Sequence, residues 1–389
     1  MKAATIARAR IWRVRLPLRM VYVSSMYVMR ESTRTLIALE TGDGLVGVGE
    51  AHGTEDVFRQ VESLAGGLLG TDPVDRRGFQ QRFARSVFDN RMGRMGWSAA
   101  AGVEMAMWDL VGRRAGVPVW GLLGGRDRGP VDLVCPLPAV IIDQPVSRRE
   151  VARLFADPAR VEPVVAYAVD HARRFGFRSF KYKSAAVSAD FDVAMMTALR
   201  AALPEARLRF DPNAGYPPAQ AIALCRRLEP LGLEFYEDPT DDQDGLARLR
   251  AELTTPVATN MAIIQVDQLA AARRRPPVDV VLADLYMWGG FLRFRTMVDA
   301  ATQSGFEVAI HSLFETGIGT AANLHLAAAF GGIVRANDSG LHVLGHDVVG
   351  PGLDIVGGAM AVPAGSGLGV SLDPAALKGL VIEEREIRS

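Results

Sequence analysis

The first third of the chain alternates apolar and polar residues in the manner of strands joined by a tight turn. The segment TRTLIALETGDGLVGVGE has two alternating runs around Asp43-Gly44, and an Asp-Gly pair in that position favours a β-hairpin. An earlier run, ARARIWRVRL, predicts another strand with one solvent-exposed face. Three helical segments are predicted after the hairpin: 56–69, 75–90, and one from Ser98, as N-cap, to about Gly116. This region is therefore predicted to be α+β.

From about residue 130, short apolar runs alternate with segments long enough for helices. The runs are VDLVCP, SFKYK, LRFDPN, LEFYEDP, PVATN, VDVVLAD, EVAIHS and IVRANDS. The helical segments are 190–203, 218–228, 244–252, 265–274, 291–304 and 317–329. Such alternation is typical of parallel strands with crossover helices, and eight strands suit a TIM-type barrel. A doubly wound sheet is the alternative, but no Gly-rich turn follows the first strand.

Length and pattern together predict more than one domain. The chain has 389 residues, which exceeds the ~250–300 at which a single hydrophobic core usually stops growing. We divide it into an α+β domain (1–128), a barrel that carries the site (129–355) and a C-terminal segment (356–389). That last segment is Gly-rich, ends in charged residues and is expected to pack back on the first domain.

Composition and charge exclude several classes of function. Apolar residues make up 49% and charged residues 23%, which is ordinary for a soluble globular protein. Lys+Arg and Asp+Glu both number 44, so neither nucleic acid nor an anionic membrane is an expected partner. No run approaches the ~18 apolar residues of a membrane span. Cys135 and Cys225 lie in apolar segments, which suggests core thiols in a reducing, cytoplasmic compartment.

Polar side chains recur where the barrel strands are predicted to end. From the second strand to the eighth they are Lys181 and Lys183, Asp211 and Asn213, Glu237 and Asp238, Asn260, Asp284, His311, and Asn337 with Asp338. Successive intervals from Lys183 to Asp338 are 28, 26, 23, 24, 27 and 27 residues, about one strand–helix unit each. Because barrel chemistry lies at the C-terminal strand ends, these residues are predicted to face one site.

Three of these residues suit a metal ion. Asp211, Glu237 and Asn260 come from neighbouring strands, and two carboxylates with one amide oxygen are hard ligands for Mg²⁺. Any one of them alone would be equally consistent with a loop cap. The set at this spacing predicts a magnesium site.

The remaining strand ends suit proton transfer. Asp284 can accept the Nδ1–H of His311 and so fix its tautomer. Lys183 faces His311 across the barrel, and a second ammonium on Lys181, together with a nearby divalent cation, is expected to lower the Lys183 pKa. The arrangement predicts a base on each side of a bound carboxylate substrate, with abstraction of its α-proton. Other histidines are interpreted as structural (His171, His325, His342) or are left undecided (His52, His346).

The motifs resemble those of the enolase superfamily, in the mandelate racemase/muconate lactonizing branch. The resemblance covers nearly the whole chain and is carried by GVGEA, SAAAGVEMAMWDLVGRRAGVPVWGLLGG, FKYK, DPNAGY, EDP, ATNM, ADLYMWGG and AIHS, in family order. It implies a modified (β/α)7β barrel with an α+β capping domain that the C-terminal tail completes. It also implies an enzyme that uses Mg²⁺ and is usually oligomeric, so a homo-oligomer is expected.

Within that branch, the Lys-x-Lys pair, the Asn of ATNM and the Asp284/His311 dyad resemble the glucarate dehydratase subgroup. The resemblance implies that Lys183 is the catalytic base, with Lys181 as its pKa-lowering neighbour. It implies that His311 is the opposite base or the acid for the departing hydroxyl. Asn213 would contact substrate, and Asp338 would lie near the substrate carboxylate, although RANDSG also resembles an Asx-turn.

The sequence departs from that subgroup around the presumed substrate. Ser184-Ala185 replaces Gly-Gly after Lys-x-Lys, and the loops HSLFETG and RMVYVSSMYVMRES are apolar. Arg30 in the second loop is a candidate partner for a distal carboxylate, or else a solvated arginine. We therefore predict a Mg²⁺-dependent dehydratase of an acid sugar or a less polar hydroxy acid. A racemase, epimerase or cycloisomerase is the alternative, and a non-catalytic metal-binding scaffold is the second alternative.

Overall fold

The computed structural model describes residues 5–86, 96–312 and 314–388. The N-terminal part forms an antiparallel sheet of four strands in the order β14-β1-β2-β3. These are β1 (Ile6–Val23), β2 (Val28–Thr41), β3 (Val46–His52) and, from the end of the chain, β14 (Val381–Arg388). The hairpin predicted at Asp43-Gly44 joins β2 to β3, and Gly44 has the positive φ of 85° that its turn requires.

Helices α1 (Glu55–Gly66) and α3 (Gly96–Ala115) pack on this sheet, and α2 (Arg76–Ser86) packs on α3. Helix α3 packs so closely on β3 that a Cβ on Gly49 would lie 2.1 Å from the Gly102 carbonyl oxygen. Residues 87–90 of the second predicted helix lie outside the described residues. The predicted N-cap Ser98 is wrong, because α3 begins earlier and the buried Ser98 hydroxyl instead accepts from the His52 amide at 2.9 Å.

Eight parallel strands follow one another around the second unit. They are β4 (Val131–Leu137), β5 (Ser179–Lys183), β6 (Arg207–Asp211), β7 (Phe235–Glu237), β8 (Val257–Thr259), β9 (Val280–Ala283), β10 (Glu307–Ile310) and β11 (Asn337–Asp338). Strands β4 to β10 pair in chain order, and β11 returns to pair with β4. Between β10 and β11, the Ile310 amide donates to the Asn337 side chain at 3.1 Å.

Helix α4 (Val119–Leu122) precedes the first barrel strand. The helices that connect the barrel strands are α5 (Arg148–Leu154), α6 (Val161–Phe175), α7 (Ala189–Ala202), α8 (Pro218–Leu228), α9 (Gln243–Glu252), α10 (Val266–Ala272), α11 (Leu285–Trp288), α12 (Phe291–Gln303) and α13 (Gly317–Ala329). All six predicted helical segments are present, and α5, α6 and the short α11 are additional. No helix in these described ranges has the length and apolar character that crossing a bilayer requires.

The end of the chain contacts both units. Strands β12 (Ile355–Val356) and β13 (Ala359–Met360) form a hairpin whose second strand pairs with β4, and α14 (Pro374–Leu377) precedes β14. The buried Asp109 of α3 accepts from the amides of Val48 and Leu368 at 2.8 and 2.7 Å. The predicted fold class, a TIM-type barrel with an α+β cap completed by the tail, is confirmed. The domain boundaries remain a prediction.

Candidate active site

The C-terminal ends of the barrel strands surround a cavity of about 130 Å³. Six of the predicted site residues line it: Lys181, Lys183, Asn213, Asn260, His311 and Asp338. Behind them, Asp211 and Glu237 contact the lysines, and Asp284 contacts His311. All nine side chains are buried. We call this set of nine the floor of the cavity.

Lys181 lies at the centre of the floor, on the same face of β5 as Lys183. Its Nζ is 3.0 Å from Glu237 Oε2 and 3.8 Å from Asp211 Oδ2, and it contacts the Asp338 carboxylate directly. One ammonium therefore joins acidic residues from three other strands. This explains how β5 buries a lysine, because each charge has a partner of opposite sign.

Lys183 pairs with Asp211, and this pairing reverses the predicted pKa shift. Burial opposes the charged form of Lys183, but the carboxylates of Asp211 and Glu237 outweigh burial and raise its pKa. The expected lowering was based on the neighbouring Lys181 ammonium and on a divalent cation. With Asp211 in direct contact, attraction to the carboxylates exceeds repulsion by that ammonium.

The predicted metal ligands are linked through shared contacts. Asp211 and Glu237 share the Lys181 ammonium, and Asn260 Nδ2 donates to Glu237 Oε1 at 2.8 Å. Burial, and then repulsion by Asp211, raises the pKa of Glu237, so this part of the floor would favour additional positive charge. Two carboxylates and an amide side chain thus fit a hard divalent cation.

A second potential ligand set overlaps the first. Glu237, His311 and Asp338 each offer one ligand atom, and these atoms lie within 4.8 Å of one another. Asp338 is already bound by Lys181 and by the buried Arg209, whose Nη1 is 3.5 Å from Asp338 Oδ1. The all-oxygen set of Asp211, Glu237 and Asn260 suits Mg²⁺ better and leaves the His311 imidazole available for proton transfer.

His311 and Asp284 form the predicted dyad. His311 Nδ1 lies 3.3 Å from Asp284 Oδ2, and Asp284 Oδ1 accepts from the amides of Tyr286 and Met287 at the start of α11. Since a carboxylate only accepts, the hydrogen of the neutral imidazole is on Nδ1 and Nε2 is the acceptor. Burial, reinforced by the two lysines, lowers the His311 pKa despite the bond to Asp284.

His52, which sequence analysis left undecided, packs beside this dyad. Its ring centroid is 5.2 Å from that of Tyr286, and its buried Nδ1 has no hydrogen-bond partner. Burial, then the nearby Arg34, lowers its pKa to about 3, so the ring is neutral. The capping sheet thereby contributes an uncharged imidazole to the surroundings of Asp284.

Ser184, which follows Lys183, does not line the cavity. Its hydroxyl donates to Asp192 Oδ2 at 2.6 Å and accepts from the Ala186 amide at 2.8 Å. Tyr182 and Tyr216 also donate to the buried Asp192 carboxylate, at 3.2 and 2.7 Å. Ser184 therefore fixes the turn between β5 and α7.

Two other residues differ in how well they fit their predicted roles. Asn213 lines the cavity in the left-handed region, with φ 47°, and its buried Oδ1 has no partner. Arg30 is exposed, donates to Gln144 Oε1 at 2.9 Å and does not line the cavity. The structure therefore does not bring Arg30 to the predicted site.

Sequence analysis named two apolar loops near the substrate but assigned no role to the individual residues that enclose the cavity. Apolar and aromatic side chains line it above the floor: Tyr22, Met26, Tyr27, Pro136, Met261, Met287 and Phe314. We call these residues the wall. The apolar character of the two loops was the available signal, but Met261 and Met287 resemble core residues in the sequence. Leu313, in the same loop as Phe314, lies outside the described residues.

Asp238 is a supporting residue that sequence reasoning noted only as a strand end. Its Oδ2 accepts from the Asn260 amide at 2.7 Å, and its Oδ1 contacts the Thr259 hydroxyl. Asp238 has a positive φ of 38°, which is unusual outside glycine. It thus holds the end of β8 in the position that presents Asn260.

Lysine is rare in this chain. Of its 44 basic Lys and Arg residues only four are lysines, namely Lys2, Lys181, Lys183 and Lys378. Lys181 and Lys183 both lie in the floor, whereas Lys378 is exposed. Arginine cannot release its proton in proteins, whereas lysine can, so the basic side chains at these two positions are the kind that can transfer a proton.

Two family models match the chain. "Mandelate racemase / muconate lactonizing enzyme, N-terminal domain" matches residues 3–124, and "Enolase C-terminal domain-like" matches residues 164–376. The chain belongs to the enolase superfamily. It is an enzyme of the mandelate racemase/muconate lactonizing branch, as the motifs predicted.

Relatives in this superfamily carry out more than one reaction. A probable glucarate dehydratase of Streptomyces coelicolor is 31% identical over 359 residues, covering 87% of this chain and 82% of that protein. A D-galactarolactone cycloisomerase of Agrobacterium fabrum is 28% identical, covering 88% and 89%. A solved enolase-superfamily structure from Thermobispora bispora, complexed with magnesium and formate, is 34% identical, with a TM-score of 0.87 over 96% of this chain and 91% of that one.

One buried carboxylate links the two parts of this architecture. Glu50 of β3 accepts from Arg34 Nε at 2.5 Å and, across the boundary, from the Thr316 amide, the Thr316 hydroxyl and the Gly319 amide at 3.0, 2.6 and 2.9 Å. These last three donors lie at the start of α13, where a negative charge is favoured. Glu50 therefore ties the capping sheet to the helix that follows the His311 loop.

Proposed function

We propose that this protein is a Mg²⁺-dependent dehydratase of a hydroxy-carboxylate, with Lys183 and His311 as its two proton-transfer groups. The observation that supports this most is their placement in one buried cavity, on β5 and β10, with Asp211, Glu237 and Asn260 between them along the ring of strands. A cytoplasmic location and a homo-oligomeric state remain predictions.

Asp211, Glu237 and Asn260 would hold the metal ion. When bound, Mg²⁺ would supply positive charge that polarises the substrate carboxylate and competes with Lys183 for Asp211. Lys181, in contact with Glu237 and Asp338, would keep these carboxylates in place and face the substrate carboxylate.

Competition for Asp211 by the metal ion would weaken the contact that raises the Lys183 pKa and so favour the neutral amine. The proposed reaction begins when that neutral Lys183 Nζ takes the proton from the carbon next to the substrate carboxylate. The electron pair of that C–H bond forms a double bond toward the carboxyl carbon. The pair then returns to expel the hydroxyl of the adjacent carbon, which leaves as water with the Nε2 proton of His311 in its imidazolium form. The resulting enol becomes a 2-keto-3-deoxy acid, and no oxidant or reductant is needed.

An isomerase is the second candidate function. Lys183 and His311 reach the cavity from different strands, so they would approach opposite faces of the same substrate carbon. If His311 returns a proton to the other face of the same carbon, the product is the epimer and no water is lost. The cycloisomerase relative, at 28% identity, supports keeping this alternative.

Incubation in D₂O with Mg²⁺ separates these reactions. Hydroxy acids are incubated with the protein, and NMR follows 2-keto acid formation and α-deuterium incorporation. Keto acid supports the dehydratase, whereas exchange without loss of water supports the isomerase. Neither signal across the panel, with EDTA leaving the melting temperature unchanged, would contradict the proposed function.

Variants test the two assigned roles. Lys183→Ala should abolish both exchange and keto acid formation. His311→Asn should preserve α-deuterium exchange while it abolishes loss of water. If His311→Asn abolishes exchange and Lys183→Ala abolishes only the loss of water, the roles of the two groups are reversed.

A further inference from the structure

The wall and the floor of the cavity offer a substrate very different surroundings. The polar groups come from the barrel strand ends, while the wall presents seven apolar or aromatic side chains. Among the described lining residues, the cations are Lys181 and Lys183, with His311 as the remaining basic group, and both lysines are already paired with carboxylates of the floor. A second carboxylate at the far end of a substrate would therefore meet no cationic partner.

Few polar atoms remain for additional hydroxyl groups. In the described part of the cavity, Tyr22 Oη and Asn213 Oδ1 are buried and have no hydrogen-bond partner, and the hydroxyls of Tyr27 and Ser339 are further polar groups of the lining. The Ser312 hydroxyl donates to Glu315 and accepts from the Gly340 amide. Each further hydroxyl buried against this wall without a partner would lower affinity about tenfold.

The wall is held in place by specific contacts. Phe314 has a positive φ of 56°, which is rare for a bulky residue and persists only where the surroundings impose it. The Ser32 hydroxyl donates to its carbonyl at 3.2 Å, and the Tyr22 ring meets its ring edge-on at 4.9 Å between centroids. These contacts hold the Phe314 ring against the cavity.

We propose that the substrate is a short 2,3-dihydroxy carboxylate whose far end is an uncharged alkyl or aryl group packed against Tyr22, Met287 and Phe314. The identity of the reaction rests on the proposed function above, whereas this selectivity rests on the wall. One hydroxyl of the substrate would donate to Asn213 Oδ1, and another polar atom of the substrate would form a hydrogen bond with Tyr22 Oη. Six-carbon polyhydroxy monoacids and diacids would be poor substrates.

The test compares two matched sets of 2,3-dihydroxy acids, with the D₂O assay as readout. One set ends in methyl, isopropyl or phenyl, and the other is made of six-carbon polyhydroxy monoacids and diacids. We expect kcat/KM for the best member of the first set to be at least tenfold higher. Equal or better turnover of the polyhydroxy set would overturn this inference while leaving the proposed function intact.

Binding provides a second measurement that does not need turnover. Lys183→Ala protein with Mg²⁺ is titrated calorimetrically with both sets, and tighter binding of the apolar set is expected. Tighter binding of the polyhydroxy acids would overturn the inference. If the wild-type protein turns over neither set but the apolar set still binds more tightly, the proposed reaction fails and the selectivity stands.

A variant of a wall residue, compared with a variant of an exposed residue, tests whether the wall sets the substrate preference. Met287→Gln should lower the preference for apolar substrates by about tenfold, because it adds a polar group of similar length. Val356→Gln, at a side chain that is 75% exposed on β12, should leave the ratio unchanged. An unchanged ratio in Met287→Gln would contradict the proposed contact.

Discussion

At the floor of the cavity, Lys181 contacts three carboxylates that are themselves side chains of three other barrel strands. At the contact between the capping sheet and the barrel, the carboxylate of Glu50 accepts from one arginine and from two backbone amides of another element. Both regions bury charge completely. They differ in the partners of the buried carboxylates. In the floor the partners are titratable side chains, whereas around Glu50 they are an arginine and backbone amides, whose charge is fixed.

This difference indicates what each region contributes. Groups in the floor can exchange protons and accept a cation, because their partners also change charge and several face the cavity. The donors around Glu50 have no such freedom, so their role is to hold two units in register. Substitutions in the floor should therefore reduce activity more than stability, and substitutions around Glu50 should do the reverse.

The largest expected effect is the loss of activity when a residue of the floor is replaced. Lys183→Ala should lower kcat/KM by about 10²–10⁴-fold, the usual contribution of a general acid or base. The fold should persist, because Asp211 remains 3.8 Å from the Lys181 ammonium. The measurement is turnover together with circular dichroism, and Lys378→Ala at an exposed position is the control. Retention of full turnover by Lys183→Ala would contradict its role.

The next largest effect is on stability at the contact between the units. Glu50→Gln should reduce the free energy of unfolding by about 3–5 kcal/mol, because it removes the carboxylate from the buried ion pair with Arg34. Denaturant unfolding measures this change. Glu40→Gln, which breaks the more exposed Arg8–Glu40 pair of the same sheet, is the matched control and should cost far less. Equal losses would contradict the distinction.

Glu104 is a buried glutamate whose contribution to stability should depend on pH. Glu104 of α3 is buried and accepts from the Leu292 amide at 3.4 Å, while its Oε2 has no partner. Burial raises its pKa from 4.5 to about 7. The folded state therefore holds a proton that the unfolded chain has lost, so this stabilising contribution is complete below pH 4.5 and decreases as pH rises to about 7.

Glu104→Gln should remove that dependence. At pH 8 the variant should be more stable than the wild type by at most about 3 kcal/mol, and near pH 4.5 the two should be similar. Unfolding curves at several pH values give the difference. A difference that does not change with pH would show that the carboxyl group titrates normally.

The smallest expected effect concerns Ser184. Ser184→Ala removes one hydrogen bond to the buried Asp192 and should cost about 1 kcal/mol of unfolding free energy. Since Ser184 does not line the cavity, the preference among substrates should stay as in the wild type. Parallel unfolding and competition assays test both parts. A changed substrate preference would place Ser184 in the site after all.

Much of the floor could be predicted because polar residues are conspicuous in buried strands. Lys181, Asp211 and His311 interrupt apolar runs at regular spacing, and parallel strands bring their ends together. The pairing of Lys183 with Asp211 could not be predicted, because it depends on ångström-scale distances between charges. That contact raises the Lys183 pKa, whereas the predicted lowering assumed a divalent cation beside the carboxylates.

The wall and the contact between the units were harder to predict for a different reason. Met287 and Glu50 each suit an ordinary position in a helix or strand, and only the tertiary structure shows what they face. The start of α3 was misplaced because Ser98 is a good N-cap in isolation, but its hydroxyl bonds to the His52 amide of the neighbouring strand. Local patterns do not encode such long-range partners.

The scarcity of lysine has a practical consequence for labelling chemistry. Amine-acylating reagents ignore arginine, so very few side chains of this protein can react with them. Lys378 is exposed, whereas Lys181 and Lys183 are 2% and 6% exposed. Acylation of the peptide that carries the buried pair, followed by mass spectrometry, would therefore report how often the enclosed floor opens to solvent.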